Sequence, residues 1–437
     1  MSRRSGIPAG RPSPVKAGSG HPGREDVDAD IVSRRLLTGI FDRALAAVRG
    51  RPAVRRVLTA RGIEGPVTLV AVGKAAQSMT EGAWNALGER IRGGLVISKL
   101  GHLVPERLAR FGLEGLVGGH PLPTEGSLAA GQRLLQVVAG RGTGTLLFLI
   151  SGGASSLVEV PAGGLGLAEL ARINVWLLGS GLPIDAMNLV RKSVSRIKGG
   201  GLLGYLEGRH PRVLAISDVP GDDPAVIGSG LLVPEPDLAS RLAALEWPDW
   251  LQDWTERALV ERAEIPERGP ELELVATLDM ARNAAAMAAG EAGIVVHPQR
   301  EPLAGDAAAC GRALARRLLE GPPGLYIWGG ETTVRLPERP GRGGRNQHLA
   351  LAAAVTLAGR DDGFLLSGGT DGTDGPTDDA GGLVDGGTLR RAKAAGFEAQ
   401  AALAAADAGS LLAATGDLLR IGPTGTNVMD LVLGLRL

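Results

Sequence analysis

Four short apolar runs in this chain stop abruptly in glycine and small polar residues. Leu146–Ile150 runs into Ser151-Gly152-Gly153-Ala154-Ser155-Ser156, and Val213–Ile216 into Ser217-Asp218-Val219-Pro220-Gly221-Asp222-Asp223. Leu325–Trp328 runs into Gly329-Gly330-Glu331-Thr332-Thr333, and Phe364–Leu366 into Ser367-Gly368-Gly369-Thr370-Asp371-Gly372-Thr373-Asp374. A buried strand that opens into glycine exposes backbone N–H groups at its carboxyl end, where α/β proteins bind ligands. Two of these junctions are rich in Asp, which suits an anionic substrate and a divalent cation together.

Between the junctions, strand-like and helix-like segments alternate. Val67–Val72 is followed by Gly73-Lys74 and a helix; Gly94–Ser98 and Gly115–Gly118 read as further strands. Helical patterns cover 30–48, 127–138 and 167–178. This alternation predicts an α/β protein with a parallel sheet covered by helices. The stretch 233–272 is rich in Pro and Trp and reads as a surface excursion or lid. Gly321-Pro322-Pro323-Gly324 is a turn cluster and the expected boundary between two domains, 30–320 and 321–437. Residues 1–29 are expected to be a disordered basic tail. A last apolar strand is expected at Val428–Leu435.

At 437 residues the chain exceeds what one core usually organises. Basic and acidic residues number 47 each, so no excess charge favours nucleic acid or an anionic membrane. One cysteine, Cys310, allows no internal disulfide and fits a reducing cytoplasm. No apolar run approaches the ~18–20 residues that span a bilayer. Of the 47 basic residues only six are Lys, leaving 41 Arg. Lys74, Lys99, Lys192 and Lys198 fall in glycine-rich or basic junctions, where a compact ammonium suits a phosphate.

Lys74 starts a helix directly after a strand, so its ammonium and the helix N-terminus can meet one anion. No Walker A pattern occurs. Ser151-Gly152-Gly153-Ala154-Ser155-Ser156 can form an anion nest or a serine nucleophile turn, although Gly-x-Ser-x-Gly is absent. The 218–223 loop offers Asp218, Asp222 and Asp223 to a metal or to its own turn. In the 370–379 loop, Asp371 or Asp374 could serve as general base or hold Mg²⁺. Arg345, in Gly343-Gly344-Arg345-Asn346-Gln347, suits a carboxylate or a transferring phosphoryl group. His120, after Gly118-Gly119, is a binding or a structural histidine. A Gly-x-Gly-x-x-Gly at 18–23 has no strand before it.

Together these segments resemble the glycerate 2-kinase family whose members carry a C-terminal MOFRL domain and were often labelled hydroxypyruvate reductases. The likeness rests on Ala71-Val72-Gly73-Lys74-Ala75-Ala76, Gly119-His120-Pro121-Leu122-Pro123, Ile150-Ser151-Gly152-Gly153, Met187-Asn188-Leu189-Val190-Arg191-Lys192 and Ile197-Lys198-Gly199-Gly200. It continues through the 217–223 segment, Gly329-Gly330-Glu331, Gly344-Arg345-Asn346-Gln347, Thr370-Asp371-Gly372 and Thr424-Gly425-Thr426-Asn427. The resemblance implies a larger Rossmann-like N-terminal domain, a smaller C-terminal MOFRL domain and an active-site cleft between them. It implies ATP-dependent phosphorylation of D-glycerate to 2-phosphoglycerate with Mg²⁺. Lys74, Arg345, Asp218 and Asp371 are then the expected catalytic residues. Gly73, His120, Ser151, Gly152, Gly153, Ser155, Asn188, Arg191, Lys198, Glu331, Asn346, Thr426 and Asn427 would bind substrate or phosphate. Asp218, Asp222, Asp223 and Asp374 would hold metal. Three positions depart from the family pattern: Ser193, Leu231 and His348.

The expected protein is thus a cytoplasmic small-molecule kinase with D-glycerate and ATP as partners, without nucleic acid or membrane, and with a homodimer left open. A hydroxypyruvate or tartronate-semialdehyde reductase, or a kinase-fold binding protein without turnover, are the alternatives.

Overall fold

The computed structural model describes residues 24–140, 144–235 and 237–437. Most of the expected tail, residues 1–23, lies outside them. Residues 24–29, expected within that tail, instead form the first turns of a helix, Arg24–Val48. An apolar stripe that begins at Ile31 nucleates the helix, and each further residue adds one hydrogen bond at little cost.

The first sheet contains β1 (Val67–Val72), β2 (Ile91–Ser98), β3 (Glu114–Val117), β4 (Thr145–Ile150), β5 (Arg212–Ile216) and β6 (Leu272–Ala276). Their order is β3-β2-β1-β4-β5-β6 and every pair is parallel. Central strands such as β1 and β4 read as near-continuous apolar runs because helices cover both faces. The order reverses between β1 and β4, and a crevice opens beyond their carboxyl ends.

The second sheet contains β7 (Val296–Pro298), β8 (Gly324–Gly330), β9 (Gly363–Gly369), β10 (Gly381–Asp385), β11 (Leu418–Leu419) and β12 (Asp430–Arg436). Its order is β11-β10-β9-β12-β8-β7, and only β7 and β8 pair in parallel. The sheet draws β7 from upstream of the turn cluster at 321–324. The fully buried β10 carries two glycines that interrupt its apolar run, which hides it in the sequence.

The two sheets share a core. On helix Arg24–Val48, Leu37, Ile40, Phe41 and Leu45 pack in one cluster with Leu69 and Leu147 of the first sheet and Phe364 and Leu431 of the second. Full burial of each such side chain contributes about 1.5–3 kcal/mol. Arg34 on the same helix binds Asp417 at 2.8 Å and also pairs with Asp385. The Pro- and Trp-rich stretch is not a loose excursion. It forms helices Leu238–Ala243 and Asp249–Val260, which pack on helices Leu167–Gly179 and Ile184–Ser193. Arg172 lies 4.1 Å above the Trp250 ring within this annex. Among the described residues, no helix is long and apolar enough to cross a membrane.

Candidate active site

β1 and β4 are neighbours, so their terminal turns, Gly73-Lys74 and Ser151-Gly152-Gly153, emerge side by side at the crevice. The turns interlock. The Lys74 N–H donates to the Gly152 carbonyl at 2.9 Å, and the buried Ser151 Oγ accepts from the Ala75 N–H at 3.1 Å. Gly73 has φ +131°, and a Cβ there would lie 2.1 Å from Ser151 Oγ. A Cβ on Gly152 would lie 1.9 Å from Asp218 Oδ2. Only glycine allows such close approach.

Across the crevice, β8 and β9 both run antiparallel to β12. The carboxyl ends of β8 and β9 therefore share one edge with the start of β12. Glu331, Asp371 and Asp430 converge there, and Asp430 sits opposite both Gly330 and Gly369.

An ion pair spans the crevice: Lys74 Nζ lies 2.8 Å from Asp371 Oδ2. The other Asp371 oxygen accepts from the Thr373 N–H at 2.9 Å and its hydroxyl at 3.0 Å. Burial pushes the Asp371 carboxyl up, but Lys74 and Thr373 outweigh it and hold the pKa at about 2. Arg345 donates Nε to Asp430 Oδ2 at 2.6 Å and Nη2 to Oδ1 at 3.0 Å, a bidentate fork. Its Nη1 lies 2.7 Å from Glu331 Oε1. Burial works against the guanidinium charge, and Asp430 and Glu331 more than restore it.

Burial pushes the Glu331 carboxyl up, against the pull of Arg345 and of Lys74. The half-buried Asp218 accepts from Asn427 Nδ2 at 3.0 Å. Burial raises Asp218, Lys74 draws it back, and Glu331 and Asp371 push it up again, to about 6. Lys74, Asp218, Asp371, Glu331 and Arg345 thus form one electrostatic group across the crevice.

His120 stands beside Lys74: a Cβ on Gly153 would lie 3.1 Å from His120 Cδ2 and 3.3 Å from Lys74 Cγ. Burial, Lys74 and Lys99 lower the His120 pKa to about 4, so the ring is neutral at pH 7. Beyond it opens a cavity of ≈ 530 Å³ whose walls include Leu122, Leu170, Ile173, Leu178, Asn188 and Arg191. Arg191 donates Nε to Asn174 Oδ1 and Nη1 to Asn188 Oδ1, each at 3.2 Å. Burial lowers its pKa, and neutral amides rather than a carboxylate orient it. Ser155 and Ser229 share a hydroxyl hydrogen bond at 2.7 Å on the same wall. Lys198 there is paired with the buried Glu159, which also accepts from Ser195 Oγ at 2.5 Å.

Other expected site residues have architectural partners. Asp374 accepts from the Asn346 N–H at 3.1 Å and the Gln347 N–H at 2.8 Å, capping helix Arg345–Leu357 from another loop. Gly344 at the N-cap has no side chain to do so. Asn346 Oδ1 accepts from Ser367 Oγ at 2.7 Å in the same buried network. Thr426 Oγ1 donates to the Val48 carbonyl at 2.7 Å and ties the first helix to the second lobe. Asp223 is exposed and accepts from the Ala225 N–H of its own turn at 2.9 Å; Asp222 is half-buried. Among the described residues, no group of three His, Cys, Asp or Glu side chains is assembled to hold a metal. The departures from the family pattern are packing positions. Ser193 Oγ donates to the Val190 carbonyl at 2.8 Å, Leu231 is buried, and the buried His348 lies near Asp306 and Arg312.

Asp430 was not among the expected site residues. Its only sequence signal is an acid opening an otherwise apolar terminal strand.

Two family models match the chain: one described as a domain of unknown function (DUF4147) over residues 36–254, and the MOFRL family over 324–430. A D-glycerate 2-kinase of Thermotoga maritima is 37% identical over 92% of this chain and 98% of its own length. A glycerate 2-kinase of Pyrococcus horikoshii is 33% identical, covering 85% of this chain and 88% of its own. The crystal structure of a Thermotoga maritima glycerate kinase matches with a TM-score of 0.81 at 36% identity, over 93% of this chain and all of the other.

Proposed function

Because the chain belongs to the glycerate 2-kinase family that joins a DUF4147 region to a MOFRL region, we propose that it moves the terminal phosphoryl group of ATP to the 2-hydroxyl of D-glycerate. The observation that carries this reading is the facing of Lys74 and Arg345 across one crevice, with Asp371 and Glu331 as their carboxylate partners. Phosphoryl transfer needs chiefly positioning and charge neutralisation, and this group offers both.

The nucleoside fits the ≈ 530 Å³ cavity, whose apolar walls suit a base and ribose better than a three-carbon acid. Leu122 and Leu178, 51% and 73% exposed at its mouth, are apolar surface that a base would cover. Arg191 is pre-oriented for a phosphate of that nucleotide. Its phosphate chain would pass Gly153 and neutral His120 toward Lys74. Glycerate lies in the crevice, with Arg345 toward its carboxylate. Asp218 takes the 2-hydroxyl proton: its pKa near 6 keeps it ionised at pH 7 yet basic enough to accept. Asp371, held near 2, is too weak a base and fixes Lys74 instead.

The residues fit Mg²⁺ only as a cation that arrives with substrate. Asp374 has both oxygens filled, whereas Asp222 and Asp223 at the rim offer one or two carboxylates, which Mg²⁺ completes with phosphate oxygens and water. Bound there, the ion would supply neutralisation of the phosphate charge. We place the division of the lobes between β6 and β7, with helix Arg24–Val48 clamping both. The turn after β1, Gly73-Lys74-Ala75-Ala76, lacks the further glycines that a dinucleotide pyrophosphate requires, which disfavours the reductase reading.

Phosphorus NMR of the product from D-glycerate and ATP tests the proposal. A 2-phosphoglycerate resonance is expected; 3-phosphoglycerate, or no phosphorylated acid, would overturn it.

A further inference from the structure

Lys99 follows β2, the strand beside β1, so its turn is held against that of Lys74. Ser98 Oγ donates to the Gly73 carbonyl at 2.7 Å, and the Gly73 N–H donates to the Ile97 carbonyl at 3.1 Å. His102 Nδ1 lies 3.0 Å from the Lys74 carbonyl, to which it can only donate. On the far side, the Gly118 N–H donates to the Ser98 carbonyl at 3.0 Å. The backbone around Lys99 is therefore fixed relative to Lys74 rather than free at a loop tip.

Lys74, Lys192 and Lys198 each hold a carboxylate. Among the described residues no carboxylate lies within 4.0 Å of the Lys99 ammonium, although the side chain is half-buried. It borders a hollow of ≈ 470 Å³ together with Gly119, His120 and Thr124. His120 also borders the larger cavity that holds Arg191, so the two hollows meet at that ring. Burial and then Lys74 lower the Lys99 pKa, while Asp371 and Asp378 support its charge from a distance. Like charge from Lys74 disfavours the Lys99 ammonium, and an anion bound beside both would relieve that repulsion.

Building on the kinase reading, we infer that Lys99 is a second phosphate-binding cation of this crevice, gripping a phosphate group carried by the nucleotide or by the phosphorylated product. Lys74 is shared with Asp371, and Lys99 is the nearby ammonium that makes no ion pair among the described residues. A point charge with three rotatable donors suits a phosphate that changes position during transfer.

Calorimetric titration of the full-length protein with ADP, with 2-phosphoglycerate and with D-glycerate tests this. Lys99→Ala should weaken ADP, 2-phosphoglycerate or both by about tenfold, and the ligand affected tells which phosphate is held. Glycerate affinity should stay within about twofold, and Lys99→Arg should recover most of the loss by keeping the charge. Lys99→Gln serves in place of the Ala variant should the latter not fold. Unchanged affinity for both phosphate ligands would overturn the inference, as would an equal loss for glycerate. So would an Asp378→Ala variant that loses as much as Lys99→Ala with no added loss in the double variant, because that pattern marks a latch between the lobes. Turnover by the unmodified protein scores the kinase reading separately, since the titrations score Lys99 whether or not glycerate is phosphorylated.

Discussion

At the crevice edge of the first lobe, parallel strands end in glycine turns, and among the described residues Asp218 accepts from one other side chain, Asn427, and makes no ion pair. At the facing edge, almost every acid is engaged. Asp371 holds Lys74, Asp374 caps a helix, Asp430 grips Arg345, and Asp379 binds Arg420 at 3.0 Å and also pairs with Arg342. The 218–223 and 371–379 loops look alike as strings of Asp and Gly, yet they serve different ends. In the proposed function one presents groups to a ligand, and the other fixes the cations that would meet it. The difference follows from topology. Parallel strands send all their carboxyl ends to one rim, where N–H groups are left for ligands. In the mixed sheet, the antiparallel β12 brings Asp430 between β8 and β9, and acids meet protein cations there.

The sharpest way to break this contrast is to remove the shared cation. Lys74→Ala should lower kcat by on the order of 10³-fold, measured by coupled assay of ADP release with D-glycerate. A loss under tenfold would make the lobe-spanning pair purely structural. Asp218→Asn should cost about 10²-fold in kcat/KM. The unsubstituted protein should lose activity as pH falls through about 6, where Asp218 takes up its proton, and the variant should lack that limb. An acid limb that survives Asp218→Asn would move the base elsewhere.

Asp374→Ala probes the architectural side. It strands two buried N–H groups at the helix start and should cost about 2 kcal/mol in urea unfolding. The KM values for ATP and glycerate should move little. The last effect concerns Asp371 and is read in acid. Its folded pKa, about 2, lies below its ordinary 3.8, so the bond contributes stability fully above pH 4 and loses it as pH falls toward 2. That contribution is about 2 kcal/mol, and acid titration of stability should show it flattened in Asp371→Asn.

Much of this was readable along the chain. β1, β2, β4, β5, β8 and β9 coincide with apolar runs to within a few residues, because short unbroken apolar runs mark strands buried on both faces. The parallel first sheet followed from alternation with helices. Less readable were β6, which closes the Trp-rich stretch without a strong pattern of its own, and β10, whose glycines interrupt its apolar pattern. Among site residues, Lys74 and Arg345 stood out by their glycine settings. Asp430 did not, since its role depends on which strand lies between β8 and β9. Thr426 and Asp374 looked like ligands because a hydroxyl or carboxylate in a loop has the same local appearance whether it meets substrate or backbone.

Taken alone, the order of residues set the local chemistry: which runs are buried strands, which turns need glycine, and where lone ammonium and guanidinium groups follow them. Those properties depend on neighbours a few bonds away. The three-dimensional packing decided which acid meets which cation and which carboxylate is left without an ion pair among the described residues. Those pairings join residues as distant as Lys74 and Asp371 or Asp218 and Asn427. Coulombic and hydrogen-bond energies depend on separation in space and on burial, neither of which spacing along the chain contains.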